Sequence, residues 1–276
     1  MPDSEVLVNV EALVKRYPPL RSYAGVTAVT ALDGISLTIR AGTTLALVGR
    51  SGSGKSTFGL CLACLERPTS GRIWFEGRNV AGLPESVLRT VRPRIQLIFQ
   101  DAARAMNPRM RASEIVAEPL LVQGSACRGE RLERVQTLFR QVGLAPSSAQ
   151  DRLAEFSGGQ RQRLAIARAL ALQPKILILD EALSALDCSV QAQIANLLLE
   201  LQTISGITLV YITHDLAMAA HLADQIAVLE RGRIVEFGTV DEVVRRPQHG
   251  HTKALLAALP RFESAQTGFR NTPCGT

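Results

Sequence analysis

Gly49, Arg50, Ser51, Gly52, Ser53, Gly54, Lys55 and Ser56 put glycines at three positions ahead of a lysine and a hydroxyl, a spacing suited to an anion with several charged oxygens. The glycines let successive backbone amides turn toward one point, the following helix adds the positive end of its dipole, and Lys55 neutralises the outer phosphates. Ser56 then offers its hydroxyl to magnesium, and Thr57 follows as the first residue of an apolar run. A glycine turn of purely structural use is the competing reading, but an aliphatic run at 45–48 and a helix signal from 57 onward give the strand, loop and helix that phosphate binding requires. A second aliphatic run, 176–179, ends in Asp180 and Glu181. Asp180 is placed to hold hydrated magnesium, and Glu181 to orient or deprotonate the water that attacks a terminal phosphate. Two acids at a strand end are commonplace alone; beside a phosphate loop they read as a triphosphate-hydrolysing pair.

A third element, Phe156 followed by Ser157, Gly158, Gly159 and Gln160, opens a helical stretch at 161–170 and offers a second anion-binding terminus. Its bland alternative is a simple helix cap. Gln100 follows the apolar run 95–99, Ser184-Ala185-Leu186-Asp187 follows the acidic pair, and His214 ends the run 208–213. A lone histidine after a strand is usually structural.

In this order the motifs resemble those of the ABC ATPases. The resemblance implies an α/β P-loop NTPase fold: a RecA-like core, an antiparallel β subdomain and an inserted helical subdomain. It places the ATPase domain at 1–260, with the β subdomain and first part of the core at 1–100, the helical subdomain at 101–165, the rest of the core at 166–250 and a loose tail at 261–276. It also implies ATP and Mg2+ as cofactors, with magnesium held by Ser56, Gln100 and Asp180, and Gln100, Glu181 and His214 acting in hydrolysis. Two such domains close face to face, so Ser157, Gly158, Gly159, Gln160 and Asp187 are expected on ATP held by the opposite subunit. Adenine is expected on Tyr17, with Tyr23 the next candidate.

The elements that must position these groups are legible as runs. Residues 6–10, 35–39, 45–48 and 73–76 read as strands, 57–65 as a buried helix stopped by the turn at 67–71, and 111–152 as helical. Dense aliphatic runs at 175–180 and 208–213 read as buried strands. With 276 residues and 46% hydrophobic content the chain can bury a full core, and no apolar run approaches the roughly 18 residues of a membrane span. The start carries no basic stretch ahead of an apolar run, so a cytoplasmic location is expected. A net charge of +6 suits phosphates as well as nucleic acid or an anionic surface and excludes none of them. Five cysteines, an odd number in a long chain, argue against a disulfide framework. Cys61 and Cys64 form a CxxC inside an apolar run with no second pair at zinc spacing, and are read as core thiols.

The stretch from Phe99 through Met106, Asn107, Pro108 and on to Glu118-Pro119-Leu120 resembles the peptide and nickel importer branch, which usually carries proline after Asp101 and Ser-Leu at 105–106. Residues 184–193 and 249–256 resemble the same branch, and Ser-Gly-Gly-Gln with Asp180-Glu181-Ala182 resembles its F-type ATPase. The branch implies a D-type partner ATPase or a second copy, two transmembrane permease subunits and an extracytoplasmic binding protein. The chain itself is then peripheral on the cytoplasmic side of the inner membrane, with no nucleic acid as partner. Cargo specificity is expected in the other subunits. Relatives often end in a cysteine-bearing extension for an iron-sulfur cluster; only Cys274 lies in the tail here, so no cluster is expected. His249 and His251 read as solvated rather than as nickel ligands. The alternatives are a soluble ABC ATPase of DNA repair or translation and an exporter subunit. Residues 57–156, between the phosphate loop and the signature, leave no room for a repair ATPase's long coiled coil.

Overall fold

The structure, a computed structural model, describes residues 5–18, 28–102, 104–124 and 127–258. Two strands open the chain, β1 (Val6–Tyr17) and β2 (Val29–Arg40), and each is longer than its apolar alternation predicts. The reason is a bulge in each: Val10 faces Leu37 but Leu13 faces Ile35, so β1 gains one residue around Ala12, whose φ is 45°, and Val14 then faces Asp33, so β2 gains one at Gly34, whose φ is 75°. Each extra residue flips the inward-facing parity, and a period-two pattern read from sequence loses phase there. β4 (Ser70–Phe75) and the short β5 (Arg78–Asn79) complete an antiparallel sheet in the order β2-β1-β4-β5. β4 meets the bulge at Gly71, where φ is +93° and a Cβ would stand 2.5 Å from the Ala12 carbonyl oxygen and 2.6 Å from Leu13 Cα. Gly71→Ala is therefore expected to destabilise the fold by about 2–4 kcal/mol, a Tm drop on the order of 5–10 °C by calorimetry. Gly77→Ala, with similar φ (+75°) but open space around it, is the control that loses much less.

The second sheet holds six strands in the order β10-β9-β3-β8-β7-β6. β3 (Thr44–Val48), β6 (Ile95–Ile98), β7 (Ile176–Asp180), β8 (Thr208–Thr213) and β9 (Gln225–Glu230) run parallel, while β10 (Arg233–Thr239) turns back on β9. Both faces are covered, which is why these strands are continuously apolar. Ile176 and Ile178 pack toward Phe58 and Leu62 of α1 (Lys55–Leu62) and the inner face of the antiparallel sheet. Leu177 and Leu179 pack on the opposite face against α5 (Gly158–Leu170) and α6 (Cys188–Ser205). Between β5 and β6, where no element was assigned from sequence, lies α2 (Glu85–Val91).

α1 ends at Leu62 rather than at residue 65, because Cys64 turns to φ 56° and the Leu65 and Glu66 amides fold back to the Leu60 carbonyl. Cys61 and Cys64 are buried free thiols, and burial pushes them up to about 12 and about 11, which keeps them inert as nucleophiles near neutrality. The predicted helical stretch 111–152 resolves into α3 (Ala112–Val122) and α4 (Arg128–Gln141), followed by a short 3-10 helix, Pro146–Gln150. α5 runs unbroken through residue 165, so the helical insertion and the core share it. After β8 come α7 (Leu216–Leu222), the β9-β10 hairpin and α8 (Gly250–Ala257). Residues 261–276, expected as a loose tail, lie outside the described residues. No helix among the described residues is long and apolar enough to cross a membrane.

Candidate nucleotide site at the carboxyl edge of the parallel sheet

Parallel strands bring their carboxyl ends to one edge, and the register here is close to flush. Val48 pairs with Thr213, Asp180 with Ile212, and Ile98 with Leu179. The residues that follow, Gly49, His214 and Glu181, therefore emerge side by side along that edge, with Gln100 two residues beyond the end of β6. Local spacing could place each at a strand end; only the pairing gathers them.

The loop 49–54 crosses from β3 to α1. Gly54 is the N-cap of α1 with φ 107°, and no side chain caps the helix, so its first amides face the loop without a protein acceptor. A Cβ on Gly49 would stand 2.3 Å from the Leu229 carbonyl oxygen, and one on Gly54 2.2 Å from the Ala31 carbonyl oxygen. Gly52 also takes a left-handed φ of 79°. Ser53 Oγ is buried without a hydrogen-bond partner. A ring of open amides, an orphaned hydroxyl and a cation fit a polyphosphate.

Lys55 is buried, and its Nζ donates to the Gly49 and Arg50 carbonyls at 2.8 and 3.0 Å. Burial lowers its pKa, while the charges of Glu181 and Asp180 act to raise it. Ser56 Oγ donates to Asp180 Oδ1 at 3.1 Å, bringing together the two groups expected to share magnesium. Burial raises the Asp180 pKa against the bond from Ser56. Asp180 is buried at the end of β7, and Glu181 follows it at φ 47°, a left-handed backbone that a non-glycine residue adopts only under constraint. That constraint is visible: the Glu181 amide donates to the Ile212 carbonyl at 2.9 Å, and its own carbonyl accepts from the Ser184 amide and hydroxyl. His214 Nδ1 lies 3.6 Å from Glu181 Oε1. Gln100 is exposed two residues past β6.

The remaining expected residues are placed less directly. Ser157 caps α5 through a reciprocal box with Gln160: the Gln160 amide donates to Ser157 Oγ at 3.3 Å and the Ser157 amide to Gln160 Oε1 at 2.8 Å. Gly159 lies against Val190 of α6, whose Cγ1 would be 2.7 Å from an added Cβ. Asp187 caps α6 by accepting from the Val190 amide at 2.9 Å. Among the described residues no hydrogen bond joins 157–160 to 49–57. Tyr17 ends β1 opposite Val29, two residues from the Ala31 carbonyl that abuts Gly54, and the Lys15 ammonium sits 4.8 Å over its ring. Tyr23 lies outside the described residues.

Two features escaped the sequence reading. The Arg231-Gly232 turn of the β9-β10 hairpin braces the phosphate loop: the Gly232 amide donates to the Ser53 carbonyl at 2.9 Å, and its carbonyl accepts from the Asp33 amide at 2.9 Å. An Arg-Gly dipeptide after an aliphatic run was the available signal, though it shows a turn and not what the turn touches. The second is a correction. His251 is not solvated; its side chain is 11% exposed and its Nδ1 lies 3.2 Å from Glu230 Oε1, while the exposed His249 accepts the His251 amide at 3.1 Å as the cap of α8.

A phosphate loop between a central parallel strand and the helix behind it, facing an acid-ended strand of the same sheet, defines a P-loop nucleoside triphosphatase. A family profile described as ABC transporter matches residues 32–184, more than half the chain, and the chain belongs to that family. It is an ATP-binding ATPase coupled to transport. A probable peptide ABC transporter ATP-binding protein of Sinorhizobium fredii is 47% identical over 259 residues, 93% of this chain and 73% of that protein. The di/tripeptide transport ATP-binding protein DppF of Pseudomonas aeruginosa is 43% identical over 264 residues, 95% and 82% of the two chains. A dimeric ATP-binding cassette in a post-hydrolysis state bound to ADP and Pi superposes with a TM-score of 0.74 at 31% identity, over 84% of this chain and 98% of that one.

Proposed function

We propose that this chain binds and hydrolyses ATP to power an importer of dipeptides or oligopeptides, paired with a second ATPase subunit and docked on two permease subunits. The observation that carries the site is the edge where Lys55, Ser56, Asp180, Glu181 and His214 converge. The peptide-transport names of relatives 42–47% identical over most of the chain favour peptides over nickel as cargo.

In this reading residues 49–57 cradle the phosphates, Lys55 moves from its loop carbonyls to the outer oxygens, and Tyr17 offers a face to adenine. Ser56, Asp180 and Gln100 would hold Mg2+, which when bound would supply positive charge against the phosphates. Glu181 holds the attacking water and accepts its proton, and His214, 3.6 Å away, keeps that carboxylate aligned. Ser157 accepts a backbone amide through Oγ, so its hydroxyl proton stays available for phosphate on the opposite subunit, together with the amides of Gly158, Gly159 and Gln160. Asp187 lies at the same junction. Closure of the pair around ATP and its release after hydrolysis would drive the permeases, with an extracytoplasmic protein choosing the cargo. The residue blocks 1–100, 101–165 and 166–250 correspond to the β-subdomain side, the helical insertion and the rest of the core. The chain works peripherally on the cytoplasmic face of the inner membrane.

The test is ATP turnover by the chain alone and in liposomes with permeases and partner ATPase of this type. Stimulation on assembly, with peptide accumulating inside, is the expected result. Full activity alone, indifferent to those partners but raised by DNA or ribosomes, would move the assignment to a soluble ATPase.

A further inference from the structure

Away from the phosphate edge, where β7 and β8 begin, lies a cavity of about 460 Å³ that no part of the mechanism above uses. Its walls come from both halves of the molecule. Arg134 belongs to α4 of the helical insertion, Lys175 immediately precedes β7, and Glu200, Leu201 and Ile204 belong to the last turns of α6.

Of the charges on these walls, Lys175 and Glu200 face solvent, while Arg134 is drawn inward. Arg134 is half-buried; its Nη2 donates to the Leu170 carbonyl at 3.0 Å, and its Nε is buried without a partner. Burial lowers its pKa, with no carboxylate acting against that shift. Among the described residues neither Arg134 nor Lys175 nor Glu200 is within ion-pair distance of an opposite charge. A desolvated guanidinium without a counterion is costly, and an isolated protein normally pairs it or leaves it in water. Ile204, 77% exposed, lies at this same cavity beside the buried Leu201 and Ile207. Two cations, one carboxylate and an apolar wall within a cavity sized for a small molecule describe one kind of ligand.

We infer that this cavity binds a small zwitterion with an apolar side chain, a free amino acid or short peptide. Its carboxylate meets Arg134 and Lys175, its ammonium meets Glu200, and its side chain covers Ile204 and Leu201. Because the cavity is walled by α4 on one side and α6 on the other, an occupant ties the helical insertion to the core and slows ATP turnover. The identity of the ligand as imported product, and hence feedback, rests on the peptide-import reading; the cavity's chemistry does not.

The experiment is calorimetric titration of the full chain with leucyl-leucine, alongside ATP turnover at the same concentrations. Saturable binding is expected, weakened on the order of tenfold or more in Arg134→Gln and in Glu200→Gln, with ATP affinity unchanged in both. Arg134→Lys, which keeps the charge, retains most of the binding and guards against a merely structural role. Leucinamide, without a carboxylate, and 4-methylpentanoate, without an ammonium, bind about tenfold more weakly. Absence of saturable binding at millimolar concentration, or equal binding by Arg134→Gln, overturns the assignment. Peptide import that proceeds with no leucyl-leucine bound to the chain sinks the cavity alone, whereas binding without permease-stimulated turnover upholds the cavity and sinks the import reading.

Discussion

Glu181→Gln is expected to lower ATP turnover by about 10²–10⁴-fold while ATP still binds. The substitution preserves size, the left-handed backbone at φ 47° and the bonds that hold it, because those use the main chain: the amide to Ile212 and the carbonyl to Ser184. What disappears is the carboxylate 3.6 Å from His214 that, in the proposed chemistry, accepts the proton of the attacking water. Asp180, buried and accepting from Ser56, is not expected to substitute, since in the proposed chemistry it serves magnesium. With binding intact and hydrolysis blocked, ATP should hold two subunits closed. Light scattering with and without ATP, beside steady-state turnover with the partner subunits present, reads both effects. Unchanged turnover would remove Glu181 from the proposed chemistry.

Lys55→Ala acts one step earlier. The ammonium is the one cation buried in the loop, and Asp180 and Glu181 are the charges that favour its protonation there. Its loss removes charge-assisted bonds to phosphate worth roughly 1.5–3 kcal/mol each, so ATP affinity should fall by about 10–100-fold. Hydrolysis should fall further, by about 10²–10³-fold at saturating ATP, because charge on the transferred phosphoryl peaks in the transition state. The Gly49 and Arg50 carbonyls also lose their donor, so a Tm measurement must accompany the assay. A Tm drop of a few degrees with affinity preserved would assign Lys55 to holding the loop rather than the nucleotide.

Much of the site was legible before any fold was known, and for a local reason. Phosphate binding through backbone amides needs glycines, a lysine and a hydroxyl at fixed short spacing, so residues 49–56 carry their chemistry in a row. The strands at 176–180 and 208–213 were equally plain, because a parallel strand covered on both faces must be apolar throughout. β1 and β2 are longer than their alternation shows because one-residue bulges, at Ala12 in β1 and at Gly34 in β2, break the pattern by which half-buried strands are recognised.

Sequence alone thus determined which residues can hold phosphate, metal and water, since each such choice is a matter of side-chain type within a few neighbours. Tertiary structure decided where they meet. Glu181 and His214 are brought together by the flush register of β7 and β8; the phosphate loop is fitted against Ala31, Leu229 and Gly232; and His251 is drawn from a polar turn onto Glu230. Each of these contacts joins segments far apart in the chain. Hydrogen-bond register and exclusion of a Cβ act through space, so they leave no periodicity or motif in the residues on either side.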